Sequence, residues 1–202
     1  MSEHPWRARL RAVLTPLLQR LLAPRMLYGL RGHDGRWLAH SRIGSSTHVV
    51  DGSRLELGDH VFIGQFNLID ASAGLRIGEH TQITSHVCVL THSSHVSLRL
   101  HGESYFGEAD PVGYVRAAVE IGPACFIGPH SVIAPGSRLG KGVLVRAFSY
   151  VRGEVPDFAV VEGQPARVVG DTRDVDANWL TRHPELAVHY RQWAGNLPGA
   201  AR

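Results

Sequence analysis

Histidine is the residue type with the greatest capacity for chemistry near neutral pH in this sequence. There are 13 histidines, and five of them stand at the fourth place of a repeating unit of six residues. A neutral imidazole can take a proton from a substrate hydroxyl group, so each histidine is a candidate general base. Four of them have no unusual feature beside them and are predicted to be solvent-facing corner residues: His60, His80, His86 and His130.

His92 shares that place in the pattern but differs in the segment after it. The chain continues as SSHVSLRL, which the pattern does not fit. A base covered by such a segment would be well placed to receive a substrate, so His92 is predicted to be catalytic. Ser93 and Ser94 are alternative nucleophiles, but no Gly-x-Ser-x-Gly motif surrounds them.

The pattern that positions these residues has a period of six. Neither the helical period of 3.6 nor the strand period of 2 sustains such spacing. Hexapeptide periodicity is typical of a parallel β-helix, in which the residue that opens each hexad points inward and the fifth residue must be small. Between residues 121 and 152 the opening residues are Ile121, Ile127, Ile133, Leu139, Val145 and Val151.

The same period reappears upstream, which indicates one solenoid. Its opening residues there are Leu57, Ile63, Ile69, Ile77, Ile83 and Val89, with a weaker start at Ile43, Val49 and Leu55. We therefore predict an all-β fold, a parallel β-helix of about five coils over residues 43–170. The break in the repeat predicts a loop, extruded at about residues 94–118, and a long insertion in a compact repeat is usually functional.

Helical segments are predicted on both sides of the solenoid. Residues 1–42 would form an amphipathic helix, kinked at Pro16 and ended by Pro24, followed by connecting coil. The helix would either cap the open end of the β-helix or lie on an anionic membrane surface. Residues 171–202 form a helical appendage, with Pro184 near a helix start and a stop near Gly195.

Composition narrows the class of protein. Of the 21 basic residues, 20 are arginine, and eight arginines precede Ile43. No aromatic-basic interleaving accompanies them, so nucleic acid is not predicted as a partner. Cys88 and Cys125 stand at repeat positions that suit small buried residues, which argues against a disulfide. The apolar run at residues 10–22 is too short for a membrane span and no signal peptide precedes it, so a cytoplasmic location is expected.

Three motifs resemble one known family. They are FNL at residues 66–68, HSSHVSLRLHGESY at residues 92–105 and VPDFAVVEGQPARVV at residues 155–169. They are similar to those of the hexapeptide-repeat acyltransferases, in the sugar O-acetyltransferase branch that includes galactoside and maltose acetyltransferases. The resemblance implies a left-handed β-helix, a homotrimer with active sites between neighbouring prisms, acetyl-CoA as donor, and no metal.

The resemblance also assigns residues near the reacting atoms. His92 would be the catalytic base and Asn67 a substrate-orienting amide, with His95 and Tyr105 of the loop as further substrate contacts. The reaction would be direct acetyl transfer, in a ternary complex, to a hydroxyl of a sugar or of a polysaccharide or glycolipid precursor.

Donor contacts come from the same resemblance. Phe126 would lie beside the pantetheine arm, Ala147 would offer a backbone group to CoA, and Arg167 would contact a CoA phosphate. Where the family often has Thr-Lys before the closing loop, this chain has Arg152 and Gly153. Arg152 is therefore a second candidate for the cationic contact.

Two other functions remain open at this point. A zinc hydratase resembling the γ-class carbonic anhydrases would use His86, His92 and His95, since three imidazoles and a water suit catalytic zinc. A non-enzymatic β-helix would serve as an assembly platform, with the basic N-terminus docking a partner or a membrane. One fold hosts many functions, so the fold does not choose between them.

Overall fold

The chain forms short strands joined by tight corners, with helices at both ends. A computed structural model describes residues 5–195. The helices are α1 (Pro5–Leu22), α2 (Ser97–His101), α3 (Thr172–Arg182) and α4 (Ala187–Ala194), with 3₁₀ turns at Gly52–Arg54, Gly102–Gly107 and Pro184–Leu186. The strands are β1 (Met26–Arg31), β2 (Trp37–Gly44), β3 (His48–Val50), β4 (Leu55–Leu57), β5 (Phe62–Ile63), β6 (Leu68–Asp70), β7 (Leu75–Ile77), β8 (Gln82–Ile83), β9 (Cys88–Val89), β10 (His92–Ser93), β11 (Val115–Arg116), β12 (Val119–Ile121), β13 (Phe126–Ile127), β14 (Val132–Ile133), β15 (Arg138–Leu139), β16 (Leu144–Val145), β17 (Tyr150–Val151), β18 (Glu154–Val155), β19 (Ala159–Gly163) and β20 (Ala166–Asp171).

Three sheets form the faces of a triangular prism. Face A has the strand order β1-β2-β5-β8-β13-β16-β19-β20, face B the order β17-β14-β9-β6-β3 and face C the order β18-β15-β12-β7-β4. Successive strands of the solenoid step from one face to the next, and the strands of neighbouring coils pair in parallel. The predicted left-handed parallel β-helix is confirmed, and the five strands in each of faces B and C match the expected number of coils.

The opening residues of the hexads stack as predicted. Parallel pairing places Ile63, Ile83, Ile127 and Val145 in one column of face A, and each is at most 1% exposed. Equivalent columns run down faces B and C. Each such side chain contributes about 1.5–3 kcal/mol when it leaves water, so the repeat itself supplies the core.

The fifth position of each hexad is buried in the corner, which explains its small size. Cys125, Ser131, Ser137, Val143 and Ser149 are all at most 2% exposed. The serine hydroxyls donate to backbone carbonyls of the corners, as from Ser137 Oγ to Ala134 O over 2.7 Å. Burial raises the pKa of the Cys125 thiol to about 11, so this cysteine stays a protonated packing residue.

The N-terminal region differs from its prediction in two ways. The expected connecting coil over residues 25–42 is wrong, because β1 and β2 form an antiparallel hairpin whose second strand extends face A. Leu38 is 1% exposed and Leu30 packs on the core, so the hairpin caps the first coil. α1 does not cap the prism, since every side chain described in it is exposed.

The C-terminal helices pack on the outside of the prism, as predicted. Tyr190 and Ala194 of α4 form a small buried cluster with Phe158, and the Lys141 ammonium donates to the carbonyl of Trp193 over 3.1 Å. α4 ends at Ala194, and Gly195 comes next with a φ of 81°, a left-handed conformation that glycine adopts without strain.

Two edges of the prism carry stacked rings. The edge between faces A and B has an aromatic ladder of Phe66, His86, His130 and Phe148, with centroids 4.8–5.2 Å apart. The edge between faces C and A has a histidine ladder of His40, His60 and His80, with centroids 4.4 and 4.7 Å apart. The corner role predicted for His60, His80, His86 and His130 is thereby explained, since all four have φ near 60°.

Candidate active site

The extruded loop leaves the prism at the edge between faces B and C. Its two ends pair as β10 and β11, which are antiparallel, with His92 opposite Arg116. His92 therefore begins a strand and lacks the positive φ of the four corner histidines, so the predicted equivalence of the five positions is wrong. The loop fold, and not the repeat, sets the orientation of the His92 imidazole.

His92 forms a hydrogen-bonded pair with Asp70. Nδ1 of His92 lies 2.8 Å from Oδ2 of Asp70, which ends β6 in the preceding coil. The side chain of His92 is 41% exposed, whereas that of Asp70 is 3% exposed. A proton on Nδ1 satisfies the carboxylate and leaves the Nε2 lone pair free, which is the tautomer that a general base requires.

Asp70 is held as a carboxylate. Burial by itself would raise the pKa of Asp70, but hydrogen bonds from Ser72 and Thr91 outweigh it and keep the pKa well below the ordinary value. Thr91 donates twice to Oδ2, from its backbone N–H and from its hydroxyl, over 2.9 and 2.8 Å. Asp70 is therefore a fixed negative charge next to the imidazole.

Tyr114 holds the other side of the imidazole. Its ring stacks on His92 at a centroid distance of 5.8 Å and an interplanar angle of 5°. The Arg116 guanidinium lies 4.6 Å from the Tyr114 centroid and is ion-paired with Asp110. Packing by the returning strand thus restricts rotation of the His92 side chain.

A cavity of about 410 Å³ opens in front of the pair. Its apolar wall comes from face B and the adjoining corner, and its polar groups come from the loop and from Arg152. Ser93 Oγ lies 2.7 Å from His95 Nδ1 within it. The lining residues are Leu90, His92, Ser93, His95, Val115, Ala134, Pro135, Tyr150 and Arg152. An imidazole base, a cation and an apolar wall in one cavity suit transfer of an acyl group to a hydroxyl.

Three predicted residues are therefore together in the cavity, namely His92, His95 and Arg152. Asn67 is not among them. It is 3% exposed, its Nδ2 donates to Thr84 O over 2.8 Å and its Oδ1 accepts from Val87 N over 2.7 Å. The Asn67 amide thus holds the corner between two coils and does not face a substrate of its own subunit. Tyr105 packs against Phe106 in the loop and does not line this cavity.

The residues predicted for the donor are spread over other surfaces. Phe126 projects from face A and lines a separate cavity of about 250 Å³ with Trp193. Ala147 is exposed at the edge that carries the aromatic ladder, and Arg167 is exposed on β20. Within one subunit, none of these three lines the cavity of His92.

The zinc alternative is not supported by this geometry. His86 stacks on Phe66 and His130 in the aromatic ladder, while Nδ1 of His92 is bonded to Asp70. Among residues 5–195, the His, Cys, Asp and Glu side chains close enough together to share a metal are His40, Asp59 and His60, on a different edge. The three proposed ligands do not converge within one subunit.

Sequence reasoning missed Asp70 and Tyr114. A signal for Asp70 was present: it comes directly after the opening residue Ile69, at a place where other coils of face B have Leu90 and Ala134. An acid at such a buried place needs a partner. No periodic signal could have found Tyr114, because the fold of the loop decides its position.

Comparison with known proteins agrees with the geometry. Residues 118–153 match the family model described as bacterial transferase hexapeptide (six repeats). The chain is therefore similar to the hexapeptide-repeat acyltransferase family. Galactoside O-acetyltransferase of Escherichia coli is 31% identical over 63% of this chain and 59% of its own length. A putative lipopolysaccharide biosynthesis O-acetyl transferase of the same species is 30% identical over 55% of this chain and 57% of its own length.

Solved structures of this family are also similar. A hexapeptide-repeat acetyltransferase of Vibrio cholerae, complexed with acetyl coenzyme A, is 28% identical with a TM-score of 0.51, over 62% of this chain and 64% of that one. The chain spans less than two thirds of the length of the curated relatives named above. No helix among residues 5–195 combines the length and hydropathy that crossing a bilayer requires.

Proposed function

We propose that this protein is an O-acetyltransferase that moves the acetyl group of acetyl-CoA to a hydroxyl of a sugar or of a polysaccharide or glycolipid precursor. One observation carries the proposal: the buried Asp70 carboxylate fixes the His92 imidazole at the mouth of a cavity. The names of the relatives, which include sugar and lipopolysaccharide O-acetyltransferases, support the choice of donor and acceptor class.

The neutral His92 imidazole and the Asp70 carboxylate together determine the path of the proton in the proposed reaction. Nε2 of His92 removes the proton of the acceptor hydroxyl while its oxygen attacks the thioester carbonyl, so the C–O bond forms as the proton leaves. The Asp70 carboxylate stabilises the imidazolium produced in this step. When the C–S bond breaks, the imidazolium returns its proton to the departing thiolate, and His92 is neutral again.

Arg152 is the proposed cationic contact for the donor. It lines the cavity, whereas Arg167 does not in the same subunit. A guanidinium offers a fixed fork of donors for a phosphate, which an alkyl ammonium lacks. Contacts from Phe126, Ala147 and Arg167 would require a neighbouring subunit, and the protein is accordingly proposed to act as a homotrimer.

Acetyl transfer is tested with the purified protein and labelled acetyl-CoA. We expect release of free CoA thiol together with recovery of label in an ester on a sugar or glycan acceptor from a screen. Absence of both CoA binding and transfer would contradict the proposal and favour the assembly platform. Zinc content and CO₂ hydration, measured on the same preparation, would identify a hydratase.

α1 supports a further part of this proposal, a peripheral contact with an anionic membrane. Its large apolar side chains are 41–79% exposed: Trp6, Leu10, Val13, Leu14, Leu17, Leu18, Leu21 and Leu22. On a helical wheel, Arg9 and Arg20 border this apolar arc on one side and Arg7 and Arg11 intrude on the other. From residue 5 to residue 33 the sequence contains no acidic residue. Such a helix suits the interface of anionic lipids, where lipid-linked glycans reside.

The membrane contact predicts binding to vesicles that contain anionic lipid and little binding to purely zwitterionic vesicles. The double substitution Leu10→Gln and Leu17→Gln in the apolar arc should weaken sedimentation with anionic vesicles by about tenfold or more, because buried apolar area is lost. Ala12→Gln with Thr15→Gln, on the opposite side of α1, is the matched control and should bind like the parent. Equal binding of the two double variants to anionic vesicles would contradict the proposed membrane contact.

A further inference from the structure

The edge between faces C and A brings together three side chains of the kinds that bind transition metals. They are His40 of β2, and Asp59 and His60 from the corner between β4 and β5. One ligand atom from each, a ring nitrogen or a carboxylate oxygen, lies within 4.8 Å of the others. None of the three lines the cavity of His92 or that of Phe126, and the proposed acetyl transfer does not use them. The cluster therefore needs an explanation of its own.

Strand pairing sets the approach of the two imidazoles. β2 pairs in parallel with β5, and Arg42 lies opposite Phe62. The same register continued two residues back along both strands places His40 beside His60. Their rings stack with centroids 4.4 Å apart and an interplanar angle of 8°. The two side chains thus project from paired backbone segments, which hold a binding site more precisely than a free loop does.

The Asp59 carboxylate is oriented by hydrogen bonds to one of its two oxygens. Oδ1 accepts from the backbone N–H groups of His40 and His60 over 3.1 and 2.7 Å, and from the hydroxyl of the buried Ser41 over 3.0 Å. The other oxygen, Oδ2, lies 3.2 Å from Nδ1 of His40. One oxygen is therefore anchored, and the other is directed at the imidazole. Outer hydrogen bonds orient a metal-binding carboxylate in the same way.

The spacing of these atoms suits a small divalent ion. Ligand atoms about 2.1 Å from a tetrahedral Zn²⁺ lie about 3.4 Å from one another. The 3.2 Å between Oδ2 of Asp59 and Nδ1 of His40 is close to that value. Since stacked rings cannot both aim a lone pair at one ion, one imidazole must tilt for His60 to join them. The side chain of His40 is 64% exposed and has the room to turn.

The aromatic ladder shows what stacked imidazoles provide without a carboxylate. His86 and His130 also stack, with centroids 4.8 Å apart and an interplanar angle of 5°. They occupy corners of the same left-handed conformation as His60, with φ of 61° and 59° against 60°. Each of them follows an uncharged residue, whereas His60 follows Asp59. The oriented carboxylate is thus the feature that distinguishes the cluster on the edge between faces C and A.

We propose that His40, Asp59 and His60 bind one divalent transition-metal ion of the zinc class, with water in the remaining position. Two imidazoles and one carboxylate suit Zn²⁺, whereas Mg²⁺ and Ca²⁺ prefer oxygen ligands alone. The ion would join β2, the second strand of the N-terminal hairpin, to the first corner of the solenoid. Its role is to fix the hairpin that caps the prism. The site is independent of the proposed acetyl transfer, whose mechanism uses no metal.

Isothermal titration calorimetry with Zn²⁺, on chelator-treated protein without an affinity tag, tests the site. We expect the parent to bind one ion per subunit at micromolar concentrations and to bind Mg²⁺ far more weakly. His60→Phe should weaken zinc binding by about tenfold or more, because a ligand is lost. Phenylalanine is accommodated at such a corner, as Phe158 shows with φ of 63°. The matched control is His86→Phe, which removes one imidazole from an equivalent corner and should bind like the parent.

Thermal unfolding tests the stabilising role. At free Zn²⁺ about 100 times its Kd, the Tm of the parent and of His86→Phe should rise by about 5 °C or more. The Tm of His60→Phe should rise by less than about 1 °C.

The two histidine variants leave equal numbers of imidazoles in the unfolded chain, so zinc binding to that state affects both alike. Asp59→Asn is a second variant of the site, nearly isosteric, and should also lose binding and the rise in Tm. Circular dichroism verifies that each variant is folded. A parent that does not bind Zn²⁺, or folded His60→Phe and Asp59→Asn proteins that bind as tightly as His86→Phe, would overturn the proposal.

Discussion

Replacement of His92 by alanine should lower kcat for acetyl transfer by about 10²–10⁴-fold, the usual contribution of a positioned general base. His92 is the imidazole that combines a carboxylate partner, a stacked tyrosine and a place at the cavity. Its side chain is 41% exposed and contributes little to the core, so the variant should fold. Steady-state kinetics with acetyl-CoA and a screened acceptor provide the measurement.

His80→Ala is the matched control for this substitution. His80 is also an exposed imidazole on an edge of the prism, but it stacks on His60 and lies away from the cavity. Its removal should change kcat by no more than a few-fold. If a folded His92→Ala protein retained nearly full activity, His92 would not be the base, and His95 would be tested next because it lines the same cavity.

Asp70→Asn should reduce kcat by about 10²–10⁴-fold while changing the KM for acetyl-CoA little, because it acts through His92 and not on the donor. Oδ2 of Asp70 accepts from Thr91 twice and from His92. An amide that turns its NH₂ toward His92 demands the opposite tautomer, in which Nε2 carries the proton. An amide that turns its oxygen there keeps the hydrogen bond but cannot neutralise the imidazolium.

Asp59→Asn is the control for Asp70→Asn. Asp59 Oδ2 also lies near a histidine, 3.2 Å from Nδ1 of His40, and hydrogen bonds from neighbouring groups likewise hold the pKa of Asp59 below its ordinary value. Both substitutions should lower stability, but only Asp70→Asn should lower kcat strongly. Equal kinetic losses in the two variants would mean that Asp70 has a structural role alone.

The lowered pKa of Asp70 determines how the contribution of this carboxylate to folding stability depends on pH. Its pKa is lower in the folded protein than in the unfolded chain, so the carboxylate stabilises the fold fully above the ordinary aspartate range. That contribution is lost only as the pH falls through the pKa that Asp70 has in the folded protein. Urea unfolding of the parent and of Asp70→Asn should therefore differ by a constant amount above about pH 5 and converge in stronger acid.

Periodicity alone determined the architecture of this protein. One aliphatic residue in every six can only be buried continuously if successive strands turn through a triangular coil, and the stacked columns of Ile63, Ile83 and Ile127 bear this out. The same spacing revealed where the repeat breaks, and thereby the loop and His92. These features are local or strictly repeated, so they are legible from residue types and intervals.

The tertiary structure decided which groups meet. Asp70 and His92 are 22 residues apart and come together because one coil stacks on the next, which sequence spacing implies but did not single out. Tyr114 reaches His92 only because the loop returns as β11. The hairpin of β1 and β2 replaced an expected coil because pairing with face A satisfies its backbone, an interaction between distant segments. These contacts depend on strand pairing and burial between segments distant in the chain, so no short stretch of sequence predicts them.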